Sequence, residues 1–439
     1  MNVSIIKKLD SKTKEELLFI LEGVLSIKGI PEFINLNYLA STADKLKLIK
    51  KSFTKFLKRT SFHDYHKAIQ FFDDLTKEVL VPLENLIEAS PKEAASFLQE
   101  VVNSFSRLVE SKDDSSGCAV EFFSKTLELW GSSWKYMNNK DINKLAQLVG
   151  DIYLNHPYID NEIIYHFRPA LGRDGLITLE KYLGNDKYGL LYTIELQNDP
   201  DKYIKFIEDN HIKNVESYFK IASMLIEDFR AREATAWLNK IPDNTKNQEQ
   251  YTIKQDLLIK AQQEEGNIKE VQKIRWEAFN KTLNPKYYLD YIKYASPEEA
   301  EQIRKSAIDI AYQNSNFNVA LYFLESIEEY AIVGNMIINN IKKLDQYNYS
   351  YYRKLSKNLA ANGQYLSATL IRRSLVNDLL AKGVSNYYDY AVSDLKLSVD
   401  FGNNVQDWKN NITNEEYINK LKLEHKKKNS FWDRINFIA

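Results

Sequence analysis

The stretch Tyr218–Leu238, YFKIASMLIEDFRAREATAWL, decides the fold. Tyr218, Ile221, Ala222 and Leu225 recur at the three- and four-residue spacing that lines one face of a helix. A polar turn follows, and Ala234 and Leu238 open a second stripe. A small side chain at Ala234 lets the second helix cross close to the first. The same arrangement returns at Tyr352, Leu355, Ser356 and Leu359, followed by Gly363, Tyr365 and Ala368. An isolated pair of this kind cannot bury its apolar face, so neighbouring pairs must stack. The reading is an all-α chain: a helical bundle followed by a degenerate tetratricopeptide-like α-solenoid.

Ala234, Val271 (a weaker match), Ala320 and Ala368 mark the crossings, at successive spacings of roughly 37, 49 and 48 residues. A strict tetratricopeptide repeat has a period of about 34, so insertions are expected. The three alanines are expected to be buried. No period-2 alternation is long enough to predict a sheet.

Composition agrees. Only 14 Gly and 9 Pro occur in 439 residues, and helices disfavour both, Gly for entropy and Pro for its missing N–H. Hydrophobic residues make up 44% and charged residues 27%, as in ordinary folded proteins. The single cysteine, Cys118, permits no internal disulfide and no zinc site built on cysteine pairs. No stretch is apolar for the length of a bilayer span, and the first residues carry no apolar signal region. The expectation is a cytoplasmic protein, although non-classical secretion would leave no mark on this reading. A net charge of −1 gives the whole molecule no electrostatic bias toward nucleic acid or lipid.

Along the chain, Ser11 or Thr13 caps a first helix whose stripe is Leu17, Leu18, Leu21, Val24 and Leu25. A helix is predicted from Asp64 to Ala89, interrupted at Pro82. Pro169, Gly172, Gly175 and Gly184 predict a looser region. They set the expected domain boundary, with residues 1–185 as an all-helical domain and 186–439 as the repeats.

Several stretches are similar to one bacterial family of uncharacterised helical proteins, whose C-terminal region also occurs in some SWIM zinc-finger proteins. They include FHDY at Phe62–Tyr65, DDSSG at Asp113–Gly117, LGRDGLITLEKYL at Leu171–Leu183 and RWEAF at Arg275–Phe279. SATLIRRSLVNDLLAKGVSNYYDYAVSDL at Ser367–Leu395 and HKKKNSFW at His425–Trp432 complete the set. The resemblance implies an all-helical fold and transfers no catalytic residue. One cysteine cannot supply the ligands of the zinc finger, so that part is expected to be absent.

No Walker or dinucleotide glycine loop, nucleophile elbow or zincin motif occurs. Asp113 and Asp114 are the most enzyme-like residues, because adjacent carboxylates before a glycine can hold a cation or pair an acid with a base. The simpler reading makes them caps of the helix that starts near Gly117. His63 and His66, three apart, can share a helical face toward a metal, with no third ligand nearby. His156 and His166 flank Asp160 and Glu162 around Pro157, with the same low prospect of a metal. The helix from Asp44 to Arg59 opposes an apolar stripe to a basic face, a pattern seen in anion-binding helices and, more often, in solvated bundle helices. Lys426, Lys427 and Lys428 precede Phe431, Trp432 and Arg434, so lysines could meet phosphate while aromatics stack on bases. Phe431, Trp432, Ile435 and Ile438 equally suit a terminal cap on the last repeat.

The leading functional expectation is a non-enzymatic helical-repeat protein that binds a protein partner, without a cofactor. The alternatives are a metal-dependent enzyme with its site near Asp113 and Asp114, and a nucleic-acid-associated protein acting through Lys426, Lys427, Lys428, Trp432 and Arg434.

Overall fold

The computed structural model describes residues 41–435 apart from 157, 244–246 and 345–347. The expected helix at 11–25 and Ile438 lie outside the described residues. Two compact units divide at 211/212. Among the described residues there is no strand, only one isolated bridge between His63 and Lys112. Among them, too, no helix is long and apolar enough to cross a membrane.

The first unit contains α1 (Thr42–Leu57), α2 (Tyr65–Leu75), α3 (Pro91–Asn103), α4 (Cys118–Tyr136), α5 (Ile142–Asn155), α6 (Glu162–Leu183), α7 (Lys187–Gln197) and α8 (Pro200–Asp209). Side-chain caps start many of them: the Asp64 carboxylate accepts from Lys67 N–H, and Asp141 accepts from Asn143 and Lys144. The core runs from α1 to α6, with Phe53, Phe97, Trp130 and Phe167 fully buried. At the α4–α6 crossing Trp130 meets Phe167 edge to face at 5.1 Å. A Cβ on Gly131 would lie 2.2 Å from the His166 carbonyl oxygen, so only glycine admits this approach.

Two local expectations are corrected here. The α-helix that begins at Tyr65 breaks at Leu75, close before Pro82, and the stretch expected to reach Ala89 stops at Glu84. A π turn over Thr76–Leu80, with Val81 N–H donating to the Thr76 carbonyl, carries the chain into a short helix at Val81–Glu84. The wider turn accommodates the donor that proline lacks. The glycine-containing region predicted to be loose is α6 itself. Its helix continues through Pro169 and kinks at Gly172, whose φ of 60° and ψ of −171° few other residues adopt. Tertiary burial of Phe167, Leu171, Leu176 and Leu179 overrides the low helix propensity.

The second unit contains α9 (Val215–Glu227), α10 (Ala231–Leu238), α11 (Gln248–Glu264), α12 (Ile268–Thr282), α13 (Pro285–Ile292), α14 (Pro297–Gln313), α15 (Phe317–Ser326) and α16 (Tyr330–Asn340). These are followed by α17 (Tyr349–Ala361), α18 (Tyr365–Lys382), α19 (Tyr388–Gly402), α20 (Asn414–Glu424) and a last turn, α21 (Asn429–Trp432). From α9 to α19 each helix packs on its sequence neighbours, which makes repeated helical hairpins. The first helices of five successive pairs begin at Asn214, Asn247, Asn284, Asn316 and Asn348, at intervals of 33, 37, 32 and 32 residues.

Four of the five pairs turn in one way. Phe229, Gly266, Glu328 and Gly363 adopt positive φ. The next residue's N–H reaches back to Leu225, Gln262, Leu324 and Leu359 carbonyls respectively, at 2.8–2.9 Å. This is the Schellman closure of a helix end.

Five residues beyond each turn sit Ala234, Val271, Val333 and Ala368, at most 1% exposed. Ala320 is also fully buried, but it belongs to α15, the first helix of its pair. Val333, not Ala320, holds the crossing position there. Ala368 lies 35 residues beyond Val333, close to one repeat, whereas the interval from Val271 to Val333 is long because the α13–α14 pair intervenes.

Candidate interaction groove

The bridge at His63 brings Phe62–Tyr65 beside Asp113–Gly117, two of the stretches that carry the family resemblance. His63 N–H donates to the Ser111 carbonyl at 3.0 Å, and Asp113 N–H donates to the His63 carbonyl at 3.0 Å. The side chains serve local structure. Asp113 accepts from Ser115 N–H and from its hydroxyl, which hold its carboxyl below the usual range. Asp114 accepts from Ala119 N–H at 2.8 Å and so caps α4. His63 Nδ1 lies 2.7 Å from the Ser61 carbonyl, and the ring sits edge-on to Phe71. His66 meets Tyr65 edge to face and is exposed. Lys112 ties the two segments together, with its ammonium donating to the Arg59, Ser61 and Glu110 carbonyls. Among the described residues no group of three or more His, Cys, Asp or Glu could hold a metal. His156 stacks on Phe123, His166 meets Tyr165 edge to face, and burial lowers both imidazole pKa values.

In the C-terminal segment Phe431 is fully buried against Tyr388 and Trp432. The Trp432 indole N–H donates to the His425 carbonyl at 3.0 Å, and Arg434 pairs with Asp389 at 2.8 Å. Lys428 lies along Tyr388, while Lys426 and Lys427 are exposed. The aromatic rings that could have stacked on bases are packed on α19 instead. On α1, Lys47, Lys50, Lys51 and Lys55 are exposed opposite the buried Leu46, Ile49, Phe53 and Phe56.

Two features of the second unit were not anticipated. One is a buried ionic cluster inside Ser367–Leu395. Arg372 is 2% exposed and pairs with the fully buried Asp394, which also receives Arg353 at 2.7 Å. Its Nε donates to the Ser356 hydroxyl at 2.7 Å. The neighbouring Arg373 has no carboxylate. It donates to the Ile412 carbonyl and to Asn414 Oδ1, lies between the Trp408 and Tyr417 rings, and is pushed down to about 10 by burial. Two adjacent arginines within Leu366–Leu380, flanked by Leu370, Ile371, Leu375 and Val376, were the available signal, since only a helix buried on most sides places both inside.

The other feature is an open groove of about 620 Å³ where the first turns of α13, α15 and α17 come together. Asn284, Asn316, Asn318, Asn348, Tyr322 and Tyr351 line it. Asn284 and Asn316 use their amide oxygens to cap α13 and α15, accepting from Lys286 and Val319 N–H. The Asn318 oxygen accepts from the Tyr352 hydroxyl at 2.6 Å. Tyr322 is 55% exposed, with its ring 6.2 Å from Tyr351. Burial, with Glu325 nearby, keeps the Tyr351 hydroxyl protonated. A second hollow continues from Asn316 and Asn318 to Lys343.

A profile of a family of unknown function, DUF6880, matches residues 34–189 and 187–434. The chain belongs to this family. No curated protein matches it. Among solved structures it is similar to a circular tandem repeat protein, described as having a novel repeat topology and enhanced subunit contact surfaces. The identity is 10%, the TM-score 0.16, and the match covers 89% of this chain and 86% of that one.

Proposed function

We propose that this member of DUF6880 is a non-enzymatic helical-repeat protein that binds another protein through the groove at α13, α15 and α17. One observation carries the reading. Three successive repeats present asparagine amides and tyrosine rings to one open concavity. Exposed aromatic area with polar groups around it is the composition of interface centres. The mean spacing of the asparagines at these five helix starts, near the roughly 34-residue tetratricopeptide period, supports a tetratricopeptide-like array. The two family matches meet at 187–189, which supports treating residues 1–185 and 186–439 as separate units of descent. A cytoplasmic setting fits the free thiol of Cys118.

An enzyme centred on Asp113 and Asp114 has less support, because both carboxylates are engaged in capping and turn contacts. Nucleic-acid binding through Lys426, Lys427, Lys428, Trp432 and Arg434 has less support too, because Phe431 is buried and the Trp432 N–H is occupied.

The test is affinity purification of the full chain from its source cell, beside Tyr322→Ala/Asn318→Ala. A stoichiometric protein should accompany the native chain and be lost from the variant. Equal recovery with both, or none with either, would overturn the assignment to this groove.

A further inference from the structure

Three amides of the groove offer a ligand mainly donors. The oxygens of Asn284, Asn316 and Asn318 all accept bonds from their own chain. What these three amides present outward is therefore their NH₂ groups, which only donate. Lys343 adds a cation where the groove continues past Asn316 and Asn318. None of the described lining residues is Asp or Glu. A ligand here meets a surplus of donors, a positive charge and tyrosine faces. Its complement is acceptor-rich and anionic.

The geometry points to an extended acidic peptide segment of a partner protein as the occupant, with an Asp or Glu carboxylate seated among Asn316, Asn318 and Lys343. An extended chain also brings a row of backbone carbonyls, which suits donors set along consecutive repeats. This inference rests on the groove being the interaction surface.

Asn and Asp cap helices about equally well, so Asn284→Asp/Asn316→Asp keeps both caps while replacing NH₂ donors by carboxylates. A random heptapeptide library is selected on the immobilised full chain. Peptides rich in Asp or Glu should be enriched, and their affinity should fall with added salt as screening demands. The double Asp variant should melt within a degree or two of the native chain and bind those peptides at least tenfold more weakly. Lys343→Ala should weaken them as well. Enrichment of neutral or basic peptides that compete at the groove would overturn the acidic assignment and leave the interaction reading intact. Acidic peptides held equally well by the double variant, or no enrichment at all, would also overturn it.

Discussion

At the scale of single residues, burial decides what each change costs. Ala368 is fully enclosed at the start of α18, and Leu there would force neighbours off their rotamers. Ala368→Leu should lower the unfolding free energy by about 1–3 kcal/mol, read from urea midpoints. Asp394→Asn removes the carboxylate that pairs with Arg372 and leaves a guanidinium charged in the interior. The expected loss is about 3–5 kcal/mol. Replacing Arg372 and Asp394 together by Met and Leu should cost less, because the fully buried charge is removed and Arg353, which loses the same carboxylate, is partly exposed to water. Burial of the small residues was legible from their spacing. The ionic cluster was not, because nothing local distinguishes the aspartate that meets an arginine 22 positions away.

At the scale of elements, helix ends carry the information. Gly363 closes α17 with φ of 75°, where an L side chain crowds its own backbone. Gly363→Ala should therefore destabilise by about 1 kcal/mol in equilibrium unfolding. Phe229 and Glu328 take the same conformation in the corresponding turns without being glycine, which hid the repeat register from sequence reasoning. Asp114 gives a second element-scale test, since it satisfies the Ala119 N–H at the start of α4. Asp114→Ala should cost about 1 kcal/mol and Asp114→Asn much less, with neither variant changing the melting response to Mg²⁺ or Mn²⁺. A metal-dependent difference between them would restore the enzyme reading. Cap positions were readable because an N-cap involves only neighbouring residues. The path of the chain past Pro82 and Pro169 was not, because packing outweighed propensity.

At the scale of the whole molecule, stability should depend on pH through its buried imidazoles. His156, His166 and His425 are each held below the ordinary histidine range by burial. The folded protein therefore binds fewer protons than the unfolded chain near that range. Stability is full above about pH 6.5 and declines as pH falls through 6 toward 5. Calorimetric melting temperatures should drop over this interval, and His156→Gln/His166→Gln should flatten the slope. The lowered carboxyls of Asp113, Glu299 and Glu416 are lost only below about pH 4.5, so the two effects separate. The sequence by itself determined that the chain is helical and that its second half is built of pairs. Stripe spacing, caps and scarce Gly and Pro act over a few residues and need no knowledge of the rest. Only the tertiary structure decided the groove, because Asn284 and Asn348 are 64 residues apart and meet through stacking of intervening helices. It also decided which charges are paired inside and which candidate site residues are occupied as caps. Those outcomes depend on what packs against each side chain, and no local pattern encodes that.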